Sequence, residues 1–121
     1  MSKTRAKGTR FENQVVEFLR ANGFIKAKRL PFSSPLGDIH GTPMVIEAKD
    51  QKTMKLPEWL EQANKSGAKA GFLAAVIHKR VRKSIEKAYV TMELETFVKI
   101  LKVYAETRPL FVYSDPEIVD E

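Results

Sequence analysis

At 121 residues the chain is one domain of ordinary size, with material for a single core. It contains no cysteine, which excludes disulfides, thiolate zinc sites and cysteine nucleophiles and fits a reducing compartment. Lys and Arg number 21 against 15 Asp and Glu, and four of those acids (Asp115, Glu117, Asp120, Glu121) fall in the last seven residues, which leaves residues 1–114 at +10. A body this basic points to a phosphate backbone as partner, against the plainer reading that charge only keeps the domain soluble.

In chain order, residues 1–8 read as a flexible basic arm without apolar periodicity. From Thr9 a helix is signalled by Phe11, Val15, Phe18 and Leu19 at helical spacing, with Gly23 where a C-terminal cap belongs. Phe24 to Phe32 reads as a strand, closed by Pro31 and the loop "SSPLG". Asp38 to His40 and Met44 to Lys49 are two short strands around the Gly41-Thr42-Pro43 turn. A second helix starts at Pro57 and runs to about Ser66, turning Trp59, Leu60 and Ala63 inward. Gly71 to Ile77 and Ala88 to Met92 read as strands joined by the basic loop "HKRVRKSIEK". The last helix, about Glu93 to Tyr104, carries an apolar stripe of Leu94, Phe97, Val98 and Leu101, expected in the core. Residues 108–121 form a tail with one apolar patch (Leu110, Phe111, Val112) and an acidic end.

The expected architecture is therefore a single α/β domain over residues 1–121, with a mixed central sheet of about five strands flanked by helices. The longest apolar run, Phe72 to Ile77, is far short of the roughly 18 residues that a membrane span needs. No apolar stretch follows the basic N-terminus, so a soluble cytoplasmic protein without a membrane partner is expected.

The stretch "GDIHGTPMVIEAKD" sets Asp38, Glu47 and Lys49 into one hairpin, although acidic residues are poor strand formers. Strand alternation puts Val45, Glu47 and Lys49 on one side and Ile46 and Ala48 on the other. Asp38 lies across the turn on the partner strand. Two converging carboxylates repel unless one is protonated or a cation sits between them. A hard divalent ion such as Mg²⁺, with Mn²⁺ as a substitute, meets that need, and Lys49 beside it can orient a water and stabilise charge on a phosphodiester oxygen. The competing reading is an exposed strand with a surface ion pair worth under ~1 kcal/mol.

Gly37-Asp38, then Glu47-Ala48-Lys49, with Glu12 on a preceding helix, resembles the PD-(D/E)xK nuclease superfamily, whose fold is restriction-endonuclease-like. More narrowly the chain is similar to Holliday junction resolvases of archaeal and phage type, in "RFENQVVEFLRANGF", "KRLPFSSPLGDIHG", "VIEAKD", a helix containing Gln62 and "GFLAAVIHKR", from about residue 8 to residue 103. The resemblance implies a homodimeric, metal-dependent endonuclease that resolves four-way DNA junctions, in the cytoplasm of a prokaryotic cell or phage-infected host. Asp38 and Glu47 would be metal ligands, Lys49 would position the attacking water, and Glu12 would reach the metal from the first helix. Ser33 or Ser34 would assist at the scissile phosphate, and Gln62 would sit beside the site. The superfamily's proline before the aspartate is Gly37 here, with Pro35 two places earlier.

Each role has a rival. Thr9 and Glu12 have capping-box spacing, Ser33 and Ser34 suit a turn before Pro35, and Gln62 suits an exposed helix face. His40 reads as a turn histidine rather than a metal ligand, and His78 as structural or a phosphate contact. Nucleic acid would be held by Lys3, Arg5, Lys7, Arg10 and Arg29 at one end and by Lys79, Arg80, Arg82 and Lys83 in the basic loop. The alternatives in function are a nuclease of the same fold acting on flaps, forks or duplex DNA, and a non-catalytic DNA-binding module. Interleaved aromatics for stacking unpaired RNA bases are lacking.

Overall fold

The computed structural model describes residues 3–31 and 34–108. Helix α1 spans Lys3–Ala21, so residues 3–8, expected as a flexible arm, continue the helix instead. Lys, Arg and Ala are strong helix formers. Lys7 Nζ also lies 3.4 Å from Asp50 Oδ1, which ties this end of the helix to the sheet. Thr9 thus sits inside the helix, and the capping-box reading of Glu12 fails, because that box needs an N-terminus at Thr9. Phe11 and Val15 are buried and Leu19 packs against them as expected, while Phe18 is 39% exposed and Val16 takes its place in the core. The helix ends in a Schellman motif, with Gly23 N–H donating to Arg20 O and Phe24 N–H to Leu19 O.

Five strands follow in the sheet order β1-β2-β3-β4-β5: β1 (Lys28–Arg29), β2 (Ile39–His40), β3 (Met44–Lys49), β4 (Leu73–His78) and β5 (Tyr89–Thr91). The sheet is mixed. β3 and β4 are parallel, joined by helix α2 (Leu56–Ala70), and every other pairing is antiparallel. Of the strand expected over Phe24–Phe32, the described residues keep only the two of β1, because Phe24 to Ala27 close a turn through an Ala27 N–H bond to Phe24 O; Phe32 lies outside the described residues. The basic loop holds one 3-10 turn, Ile85–Lys87, helix α3 (Leu94–Glu106) is the last described element, and the expected tail lies outside the described residues beyond Arg108.

Alternation along β3 builds two cores. Ile46 and Ala48 join Phe11, Val15, Val16, Ala27 and Ile39 in the core beside α1. Val45 points the other way and packs with Trp59, Ala63, Ala74 and Val76 in the core beside α2. Helix α3 does not extend either core. Thr96 is its only buried residue, while Leu94, Phe97, Val98 and Leu101 are exposed, which corrects the expectation that this stripe is core. Among the described residues no helix is long and apolar enough to cross a membrane.

Candidate active site

The register Ile39↔Ile46 between antiparallel β2 and β3 brings Asp38, the residue just before β2, beside Glu47, close enough for the two carboxyls to interact. Glu47 shares its face with Val45, so the two carboxylates meet on the side that α2 covers. Backbone bonds fix Asp38 on both flanks: its N–H donates to Ile46 O (3.1 Å) and its carbonyl accepts from Leu30 N–H (2.8 Å). The Asp38 carboxylate in turn accepts the Ala48 N–H at Oδ2 (2.8 Å), filling a place in the ladder that β2 is too short to reach.

Gly37, just before it, has φ +94°, and a Cβ there would come within 2.6 Å of Val45 Cγ1. Proline is locked near φ −65° and could not occupy this position. A glycine at this position is thus demanded by the backbone of this loop.

Glu47 is 1% exposed. Its Oε1 accepts a long bond from Ser66 Oγ (3.5 Å), and its Oε2 has no partner. Burial first, then the facing Asp38, pushes its pKa up to about 8. Two residues on, Lys49 Nζ donates to Gln62 Oε1 (2.9 Å), so α2 does hold Gln62 at the site as expected. Ser66 was not foreseen. Its signal is its place four residues after Gln62, on the α2 face that carries Trp59 and Ala63.

Glu12 lies near enough for the charges of Asp38 and Lys49 to act on it, and burial raises its pKa. Its Oε2, however, accepts from Arg29 Nε at 2.8 Å. Among the described residues no three acidic or histidine groups gather closely enough to enclose a metal. Asp38 and Glu47 still suit a hard divalent ion, since Mg²⁺ is commonly held by one or two carboxylates and completes its shell with water. The buried, unpartnered Glu47 oxygen is the feature that such an ion would satisfy.

Ser34 forms a turn, its Oγ accepting from Leu36 N–H (3.2 Å); Ser33 lies outside the described residues. Lys3 and Arg5 fall in the first turns of α1, with side chains outside those described, and Arg10 is exposed on the same helix. Lys7 and Lys79 both pair with Asp50, and Arg80 stacks 4.3 Å above the Tyr89 ring. His78 is buried, contacts Thr91 Oγ1 through Nε2 (2.7 Å) and lies 5.7 Å from both the Trp59 and Tyr89 rings; burial lowers its pKa, so it serves as a neutral core residue. His40 sits at the end of β2 near Phe72, its Nε2 unpartnered.

No protein family, curated protein or solved structure compared with the chain matches it.

Proposed function

We propose that the chain is a metal-dependent DNA endonuclease of the PD-(D/E)xK kind, which cuts four-way junctions as a homodimer. The observation that carries this reading is the facing pair Asp38 and Glu47, with an unpartnered buried oxygen on Glu47 and Lys49 on the same face. Asp38 and Glu47 are the residues to hold the cation. When bound, Mg²⁺ or Mn²⁺ supplies Lewis-acid charge at the scissile phosphodiester.

The rest of the chemistry belongs to the chain. Glu47, protonated near neutral pH while the pair is empty, gives up that proton to act as a ligand. The Ala48 N–H keeps the Asp38 carboxylate in place. Lys49, steered by Gln62, offers N–H bonds that orient the attacking water and stabilise charge on a phosphate oxygen. The water oxygen bonds to phosphorus and gives up a proton to solvent, the bond to the 3′ oxygen breaks and that oxygen takes up a proton, and the products are a 5′-phosphate and a 3′-hydroxyl. Resolving a junction takes two such cuts related by symmetry, hence a two-fold dimer. The exposed apolar face of α3 supports this oligomeric state.

The Glu12–Arg29 pair favours a second reading, a DNA-binding module without cleavage, because it engages the third carboxylate with a cation already in place. The deciding experiment is cleavage of a labelled immobile junction against duplex, flap and fork competitors, with Mg²⁺ or EDTA, for wild type and Asp38→Asn. Paired symmetric nicks that need metal and vanish in the variant are expected. Cutting that prefers a competitor would reassign the substrate, and binding without cutting under any divalent ion would leave the module.

A further inference from the structure

A cleft of about 220 Å³ opens between α1 and the loop after β4, on the α1 face of the sheet. Phe11 and Ile85 contribute its apolar floor, and Lys79, Arg80, Arg82 and Lys83 line it with four cations and no carboxylate. We propose that this cleft seats one phosphodiester, with its sugar, of bound DNA. The proposal rests on the reading of the chain as DNA-binding, and does not need it to cut.

Position comes first. The Lys79 N–H donates to Lys49 O (3.0 Å), which fixes the start of the basic loop against the end of β3, on the sheet face opposite the Lys49 side chain. Size comes second. At about 220 Å³ the cleft is below the range of pockets that enclose whole cofactors, roughly 300–1,000 Å³, and suits a sugar-phosphate unit.

The arrangement of the cations is the third argument. Two are already occupied by the protein: Lys79 faces Asp50 at 4.0 Å, and Arg80 lies over the Tyr89 ring. Among the described residues Arg82 and Lys83 have no ion-pair partner. Arg82 is also the only described non-glycine residue with positive φ, at 60°. Residues bearing a Cβ rarely adopt this conformation, and such outliers gather at functional sites. The turn around it closes through Lys83 N–H to Arg80 O (3.3 Å) and brings both unpaired cations to the cleft. Glycine would fit that backbone better, so an arginine at this position accords with a use for its guanidinium in the cleft.

The test uses the full chain in EDTA and a short DNA duplex, comparing wild type with the double variant Arg82→Gly, Lys83→Ala and with Lys65→Ala, Lys69→Ala, which removes the same charge from exposed positions on α2. The cleft variant is expected to melt no lower than wild type. Its slope of log K against log salt should become shallower by about 1, as for one lost phosphate contact, with the α2 variant close to wild type. Duplex should shift the backbone amide resonances of Lys83 and Ser84 in wild type, and inorganic phosphate at equal concentration should leave them in place. Equal slopes in cleft and α2 variants would overturn the seat, as would saturation of the cleft by inorganic phosphate alone. Because binding is read without metal, the outcomes separate: a shallower slope with no cleavage in any metal overturns only the nuclease reading, and equal slopes with junction cleavage intact overturn only the seat.

Discussion

Glu47 shows what a single buried carboxylate does to this domain. Its folded-state pKa is raised from 4.5 to about 8, so the folded chain binds that proton more tightly than the unfolded chain does. The stabilisation is complete below about pH 4.5 and is lost as pH rises through about 8. Glu12 is shifted in the same direction by burial, whereas neutral, buried His78 acts oppositely, losing stability as pH falls below 6.5. The cleanest window for Glu47 is therefore about pH 6.5 to 8. In EDTA the melting temperature of the wild type should fall across that window, and Glu47→Gln should flatten the fall and melt higher than wild type at pH 8. Adding Mg²⁺ at pH 8 should raise the wild type and leave the variant nearly unmoved. A wild-type profile that is flat in EDTA would sink this account. Asp38, Glu47 and Lys49 were legible in the sequence because strand alternation and a short turn decide which side chains share a face. The engagement of Glu12 by Arg29 was not, since it joins α1 to β1 across 17 positions that local pattern does not link.

At the scale of elements, the hairpin that carries the site depends on two glycines. Gly41 has φ +97°, and a Cβ there would lie 2.2 Å from Lys26 O, a backbone atom of the turn before β1 that cannot step aside. Gly37 would meet a side-chain methyl of Val45 at 2.6 Å, which can yield in part. Gly41→Ala should thus cost more than about 2 kcal/mol, a drop in melting temperature on the order of 10 °C, and Gly37→Ala less. Activity should rank the other way among the molecules that remain folded, because Gly37 adjoins Asp38 and its added Cβ would stand 3.6 Å from Glu47 Oε1. Thermal melts beside single-turnover cleavage separate the two effects. The hairpin and the β3-α2-β4 unit could be read from turn residues and apolar runs. The first turns of α1 could not, because their order comes from tertiary ties such as Lys7 to Asp50 rather than from an apolar stripe.

For the whole molecule, α3 departs most from what its sequence pattern predicts. Apolar residues at helical spacing state that one face of a helix avoids water, and say nothing of what covers it. Leu94 is 74% exposed and Phe97, Leu101 and Tyr104 are each near half exposed, while Tyr89 and Val90 on the edge strand β5 are exposed as well. A monomer rarely leaves so many large apolar side chains in water without a partner for them. In the proposed dimer the second copy covers this face, and a stable two-fold contact needs about 800 Å² from each chain. Phe97→Glu with Leu101→Glu should convert a dimer, measured by sedimentation, into a monomer, with little change in melting temperature at low protein concentration, since neither side chain belongs to the core. The monomer should keep the Glu47 pH signature, because Asp38, Glu47 and Lys49 all come from one chain. On a four-way junction it should cut one strand at a time, with the paired nicks uncoupled. A variant that stays dimeric would move the interface elsewhere, and a monomeric wild type that still nicks both strands together would show that paired cutting does not need two copies.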